Sequence, residues 1–219
     1  MIGDRSSVQT SPKKNGLLIF IIILFHVVGL IGFALTAYRE LFVMIVPFHL
    51  LLMLAMVLIS HQYFNSRFIL FFALIFLTGF TAEWVGVHTG LLFGDYTYGN
   101  TLGFKLLDIP LMIGVNWFLL VYATGVLLQR SRLKNAFLRV LIGAAILVLL
   151  DVLIEPAAMR FDYWDWANDT IPVKNYVCWF VVSAAMLWIF EMFKFQKQSM
   201  VAPVLLLTQF VFFIALRWV

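Results

Sequence analysis

GLLIFIIILFHVVGLIGFALTA, residues 16–37, decides the fold. The stretch contains no Asp, Glu, Lys or Arg. A helix needs about 20 apolar residues to cross the hydrocarbon core of a bilayer, and this stretch supplies them. Working outward, comparable stretches recur at 41–60, 67–86, 110–129, 136–155, 174–193 and 201–217. The sequence therefore predicts an all-α, polytopic membrane helical bundle of about seven transmembrane helices. The last stretch is short and ends in Arg217 and Trp218, residue types that anchor at the membrane interface.

Composition agrees. The chain is 63% hydrophobic and 12% charged, with a mean hydropathy of +1.00. Soluble domains average about 45–50% apolar and about 25% charged residues. One small domain cannot bury so large an apolar excess, so lipid must cover it. Residues 1–15 read as a polar, disordered tail, and residues 16–219 as a single transmembrane domain without linker or internal repeat. Lys13 and Lys14 precede the first apolar stretch as they would in a signal peptide. That stretch is longer than a usual signal core and no A-x-A site follows, so it reads as an uncleaved anchor.

Charge sets the orientation. Of the 15 Lys and Arg residues, ten fall on the side of the N-terminus, among them Lys13, Lys14, Arg67, Arg130, Arg139 and Lys194. The positive-inside rule places that side, and the N-terminus, in the cytoplasm. Seven spans then put the C-terminus outside. The acids run the other way: Glu40, Glu83, Asp95, Asp108, Asp151, Glu155, Asp162, Asp165 and Asp169 all fall at or near the outer side. Both long loops, 87–109 and 156–173, are also outer, and long loops in compact proteins tend to carry function. The prokaryotic inner membrane is the expected location.

Four constellations carry candidate chemistry. The first is TAEWVGVHTGLLFGDYTYGNTLG, residues 81–103. A carboxylate near the end of an apolar helix, as at Glu83, is costly unless paired, protonated or wetted. Closely spaced glycines alternate with Phe93, Tyr96 and Tyr98, which fits a re-entrant or interfacial hairpin; an interfacial loop with anchoring tyrosines is the plainer reading. The second is DVLIEP, residues 151–156, where Asp151 and Glu155 share a helix face. Two acids so placed repel if both are charged, so one can keep the proton that a general acid needs. The plainer reading is a helix end whose acids reach headgroup water. Pro156 is expected to end that helix. The third is FDYWDW, residues 161–166, followed by Asn175 and Trp179. It is either an aromatic belt with solvated acids or an acid-lined pocket whose ring faces stabilise positive charge. The fourth is Asn116 with Trp117, where a buried Asn ordinarily bonds across helices.

Several functions are excluded. His26, His49, His61 and His88 are scattered over different segments, with no paired-histidine box for a di-iron centre; His88 alone falls within the acidic-aromatic patch. The last span has no Lys for a retinal Schiff base. Phosphate-binding loops, dinucleotide fingerprints and serine elbows are missing from the sequence. Cys178 is the only cysteine, so neither a disulfide framework nor a CxxC site is available. No basic cluster with interleaved aromatics marks a nucleic-acid surface.

Glu83, then Gly90 with FGDYTYG (93–99), LG (102–103), Pro110, Trp117, Asp151 with Pro156, WDW (164–166) and NYVCW (175–179) follow one another in an order that resembles the carotenoid biosynthesis membrane family. Its members include carotenoid 1,2-hydratases of the gamma-carotene type and bisanhydrobacterioruberin hydratases. The resemblance runs from about residue 80 to 180. It implies addition of water to the terminal double bond of an acyclic carotenoid end, through protonation, a tertiary cation and water capture. It implies no redox cofactor and no metal. The expected partners are a lipid-soluble carotenoid, water, membrane lipid and other enzymes of the same pathway. On this reading Asp151 is the first candidate acid, with Glu83, Glu155 and Asp162 next. Trp84, Trp164, Trp166 and Tyr98 are candidates to stabilise the cation, and His88, Phe93, Tyr96, Asn116, Trp117 and Asn175 would complete the substrate site. A lycopene-cyclase-like enzyme, in which another double bond captures the cation, and a non-catalytic transporter or assembly protein remain the alternatives.

Overall fold

The computed structural model describes residues 12–219. The tail expected over 1–15 lies outside the described residues as far as residue 11; from Pro12 the chain is already helical. Among the described residues eight α-helices carry the fold: α1 (Pro12–Ala34), α2 (Arg39–Met44), α3 (Val46–Ser60), α4 (Ser66–Thr89), α5 (Leu111–Gln129), α6 (Ala136–Arg160), α7 (Val173–Phe193) and α8 (Val201–Leu216). Five of them, α1, α4, α5, α6 and α7, are long and apolar enough to cross a membrane; α3 and α8 are apolar but shorter. Leu17, Phe20, Leu70, Leu77, Val181 and Val211 are among the large apolar side chains turned outward, as a lipid-covered surface requires.

The stretch expected as one helix over 41–60 is broken at Ile45. Pro47 has no N–H to give the carbonyl of Val43. The chain leaves α2 at Ile45 and restarts α3 with Pro47 in its first turn. A second correction runs the other way. Pro156 does not end α6, which continues to Arg160. A proline in mid-helix orphans the carbonyl four residues earlier. Here that carbonyl belongs to Val152, and the Arg217 guanidinium beyond α8 donates to it at 2.8 Å.

α5 lies at the centre. It is buried almost all round, from Ile113 to Leu128, and packs against α3, α4, α6, α7 and α8. At one end of the bundle Phe68, Phe71, Phe118, Tyr122, Phe190 and Phe195 interlock ring against ring. At the same end His61 meets the Tyr122 hydroxyl at 2.6 Å, and Arg139 pairs with Glu191.

At the opposite end the two long loops form strands instead of the hairpin expected within 81–103. β1 (Tyr96–Tyr98) pairs antiparallel with β4 (Trp164–Trp166) from the other loop, with Tyr96 opposite Trp166 and Tyr98 opposite Trp164. A short hairpin of β2 (Lys105–Leu106) and β3 (Ile109–Pro110) follows β1. The first loop can turn back over the bundle because Gly90 ends α4 in the left-handed conformation, φ 62°, where a side chain would be strained.

Candidate active site

Alternation along β1 and β4 turns Tyr96, Tyr98 and Trp166 inward over the helix ends and leaves Thr97 and Asp165 in solvent. Below them lie three buried carboxyl groups: Glu83 from α4, and Asp151 and Glu155 from α6. Glu83 accepts three hydrogen bonds. The Trp117 indole gives one to Oε1 at 2.9 Å; the Tyr96 and Tyr98 hydroxyls give two to Oε2 at 2.6 and 2.8 Å. Burial, and then the adjacent Glu83 carboxyl, push both phenols well above the ordinary tyrosine range, so both keep the proton they donate.

Glu155 also accepts three. The indoles of Trp164 and Trp166 donate to Oε2 at 3.0 and 2.7 Å, and the Asn175 amide donates to Oε1 at 2.9 Å. The same Asn175 amide donates to Asp151 Oδ2 at 2.9 Å, so one side chain bridges the two acids. Asp151 Oδ1 is buried and has no hydrogen-bond partner among the described residues. None of the three acids meets a Lys, Arg or His at ion-pair distance among the described residues.

Close packing makes this arrangement possible. A Cβ on Gly79 would stand 2.6 Å from the Trp117 ring, and one on Gly86 would stand 2.6 Å from the Tyr96 hydroxyl. Only glycine lets α4 approach both donors. Trp117 in turn stacks on Trp179 of α7, with ring centroids 4.2 Å apart.

Two cavities meet at this cluster. A polar chamber of about 20 Å³ is bounded by Glu83, Glu155, Tyr96, Tyr98, Asn116 and Asn175, with Trp117, Trp164, Trp166, Trp179 and Phe93 around them. That is room for about one water molecule. Beside it runs an apolar groove of about 400 Å³ between α1, α2, α3 and α8. Phe25, Val28 and Phe48 line it and are also exposed on the lipid-facing surface, so the groove opens sideways. Ile113, Asn116 and Trp164 line both spaces. The groove thus reaches these residues from the lipid side, and the carboxyl groups lie on their other side.

The residues expected to form the site divide in two. The structure brings Glu83, Asp151, Glu155, Phe93, Tyr96, Tyr98, Asn116, Trp117, Trp164, Trp166 and Asn175 together. Asp151 lies behind the chamber, fully buried, and lines neither cavity. Trp84, His88 and Asp162 lie apart from it. Trp84 stacks on His88 at the bundle surface, and His88 Nε2 reaches Asp108 at 3.5 Å. Asp162 is exposed, and its carboxylate accepts from the Asn100 N–H at 2.8 Å, which fastens one loop to the other. What the sequence did not disclose is the groove. His26 and His49, apart in sequence, stand edge to face at 4.7 Å within it, next to Phe212 of α8. Among the described residues no three His, Cys, Asp or Glu side chains group as metal ligands would.

Comparison with known proteins bears on what this site serves. A bisanhydrobacterioruberin hydratase of Haloarcula japonica is 32% identical over 128 residues. The match covers 54% of this chain and 44% of that protein, so the likeness spans less than half of the relative. No solved structure matches the chain. The family model described as "carotenoid biosynthesis protein" matches residues 18–219, and the chain belongs to that family.

Proposed function

We propose that this protein is a carotenoid hydratase that adds water to the terminal double bond of an acyclic carotenoid end group. One observation carries the reading: Ile113, Asn116 and Trp164 separate a groove open to lipid from a chamber of one-water size that holds two carboxyl groups. A wholly apolar chain partitions into the bilayer and enters the groove from the side. Its terminal carbons then meet Asn116 and Trp164.

In the proposed cycle Glu155, which borders the chamber, transfers a proton to the terminal alkene carbon. The π electrons form the new C–H bond and leave a tertiary cation. The faces of Trp164 and Trp166 and the nearby carboxylates stabilise that cation. Water held between Asn116 and Glu83 then forms the C–O bond, and its surplus proton passes to Glu83. Glu83 and Glu155 each accept three hydrogen bonds, and what separates them is the second acid: Asp151, held to Glu155 through Asn175, opposes a charge on Glu155 and leaves Glu83 the carboxylate that must accept. The proton taken by Glu83 returns to Glu155 across the chamber before the next turn, which restores both groups, and Asp151, joined to Glu155 through Asn175, keeps Glu155 in the protonated form. The atoms balance as alkene plus water giving a tertiary alcohol, with no oxidant or reductant. The cytoplasmic N-terminus, seven crossings and outer-side site are part of the same proposal, carried by the charge asymmetry.

The test is expression in bacteria that accumulate lycopene or gamma-carotene, grown in oxygen-18 water, with mass spectrometry of the pigments. Hydration adds one labelled water to the pigment. An isomer of unchanged mass would make the protein a cyclase. Unchanged pigment across acyclic carotenoids, with well-inserted protein and transport activity in its place, would make it a non-catalytic membrane protein.

A further inference from the structure

The β2–β3 hairpin is closed by Leu107 and Asp108, both with positive φ, 49° and 64°. Asn and Gly ordinarily supply such a turn, because they tolerate left-handed backbone. Leucine does not, and so strained a residue marks a place where another demand fixes the side chain. Packing within the fold is not that demand. Leu107 is 61% exposed, with Leu106 at 48% and Phe104 at 73%. The inner side of the hairpin is complete without them: Ile109 and Pro110 are buried, and the Lys105 ammonium donates to the Tyr98 carbonyl at 2.6 Å. Three large apolar side chains are left on its outer side, which is unfavourable in water and favourable in lipid.

Where that outer side lies follows from α4. Leu70, Leu74, Leu77, Thr81, Trp84 and His88 recur at steps of three or four residues and are all exposed, so they form one stripe along the outside of the helix. Lipid must cover its leucines. Trp84, nearer the end, is the residue type of the membrane–water boundary, and its ring stacks on His88. His88 closes the stripe, and its Nε2 stands 3.5 Å from Asp108 Oδ2 in the turn of the hairpin. The turn therefore continues a lipid-facing surface, about one helical turn beyond its tryptophan. Charge does not draw it there. Asp108 is negative, Lys105 is turned inward, and the Lys174 ammonium of α7 is held on the Gly90 carbonyl at 2.6 Å.

We propose that the β2–β3 hairpin is a membrane-interface anchor, whose Phe104, Leu106 and Leu107 insert between the headgroups and the first acyl carbons of the lipid beside α4. The attraction is apolar burial, which explains why a leucine occupies a turn that suits it badly. β3 runs directly into α5, so the anchor fixes the depth at which Asn116 and Trp117 stand. The anchor is a lipid contact and is measured without turnover, so it stands or falls apart from the hydratase reading.

The test uses the full chain in phosphatidylcholine nanodiscs. Cys178 is the only cysteine, so Cys178→Ala gives a background for single labels. Leu107→Cys would carry an environment-sensitive fluorophore, and Phe104→Cys would repeat the measurement from a residue outside the strained turn. Thr81→Cys, on the α4 stripe, is the lipid-facing reference; Thr97→Cys, on the outer side of β1, is the solvent-facing one. Two quenchers are compared: phosphatidylcholine brominated on the acyl carbons nearest the headgroup, and aqueous iodide. The labels at 107 and 104 are expected to lose most of their emission to the brominated lipid and little to iodide, as at 81. Quenching by iodide in the manner of 97 places the hairpin in water and overturns the anchor. Protection from both quenchers, the mark of a protein partner or a second copy seated on the hairpin, overturns it as well.

Discussion

Asn175 joins the two acids of α6 with one amide group, so each acid depends on the other's partner. Asp151→Asn keeps the shape but removes the second acid that holds the proton on Glu155. We expect loss of hydrated pigment with normal accumulation in membranes; full activity in that variant would end the role given to Asp151. Glu155→Gln should do the same, because Glu155 borders the chamber. The donors above Glu83 belong to stability as much as to chemistry. Removing one hydrogen bond to a buried acid costs about 1–3 kcal/mol, so Tyr96→Phe and Tyr98→Phe should each lower the unfolding midpoint in detergent, and the double variant more than either. That Glu83, Asp151 and Glu155 belong together was legible in the sequence because an ionisable group in an apolar span has few reasons to be there, whereas Asp162 lies in a loop and stays apart. Trp84 and His88 share the helix and neighbourhood of Glu83 but project from another face, which the order of residues does not reveal.

Helices were legible to within a few residues wherever length and hydropathy alone decide. The errors came from the two prolines, where local chemistry was overridden or enforced by neighbours. Pro47 breaks its helix as its covalent structure demands. Pro156 does not, since a side chain 61 residues on, Arg217, caps the carbonyl it exposes, and no local pattern announces that partner. The two should be energetically coupled. Arg217→Met should destabilise the wild-type chain by about 0.5–1.5 kcal/mol, the net worth of one hydrogen bond. It should cost clearly less when Pro156→Ala has restored the missing N–H. A double-mutant cycle by chemical denaturation reads the coupling, and additive effects would dismiss it. The β1–β4 pairing was illegible for a similar reason, since three-residue strands from two distant loops carry no periodicity of their own.

Contacts tie connections together at each end of the bundle: Asp162 with Asn100 and Arg217 with Val152 at one, Arg130 with Gln198 and Gln129 with Phe195 at the other. Reporter fusions should place the connections near 62 and 132 in the cytoplasm and those near 100 and 165 outside. The reverse pattern would contradict the orientation drawn from the basic residues. The groove could not be read from sequence at any length, because α1, α3 and α8 each look like ordinary apolar spans and only their convergence makes a passage.

The polar chamber is about 20 Å³. A carbocation formed in open solution is trapped by whichever nucleophile is most abundant, and alcohols compete well with water. A compartment of one-water size decides that contest by bulk. Cells or membranes supplied with methanol in large excess should therefore yield the alcohol with no methyl ether. Reshaping the wall, for instance Trp166→Leu, should let the ether form as the compartment stops sorting its solvent.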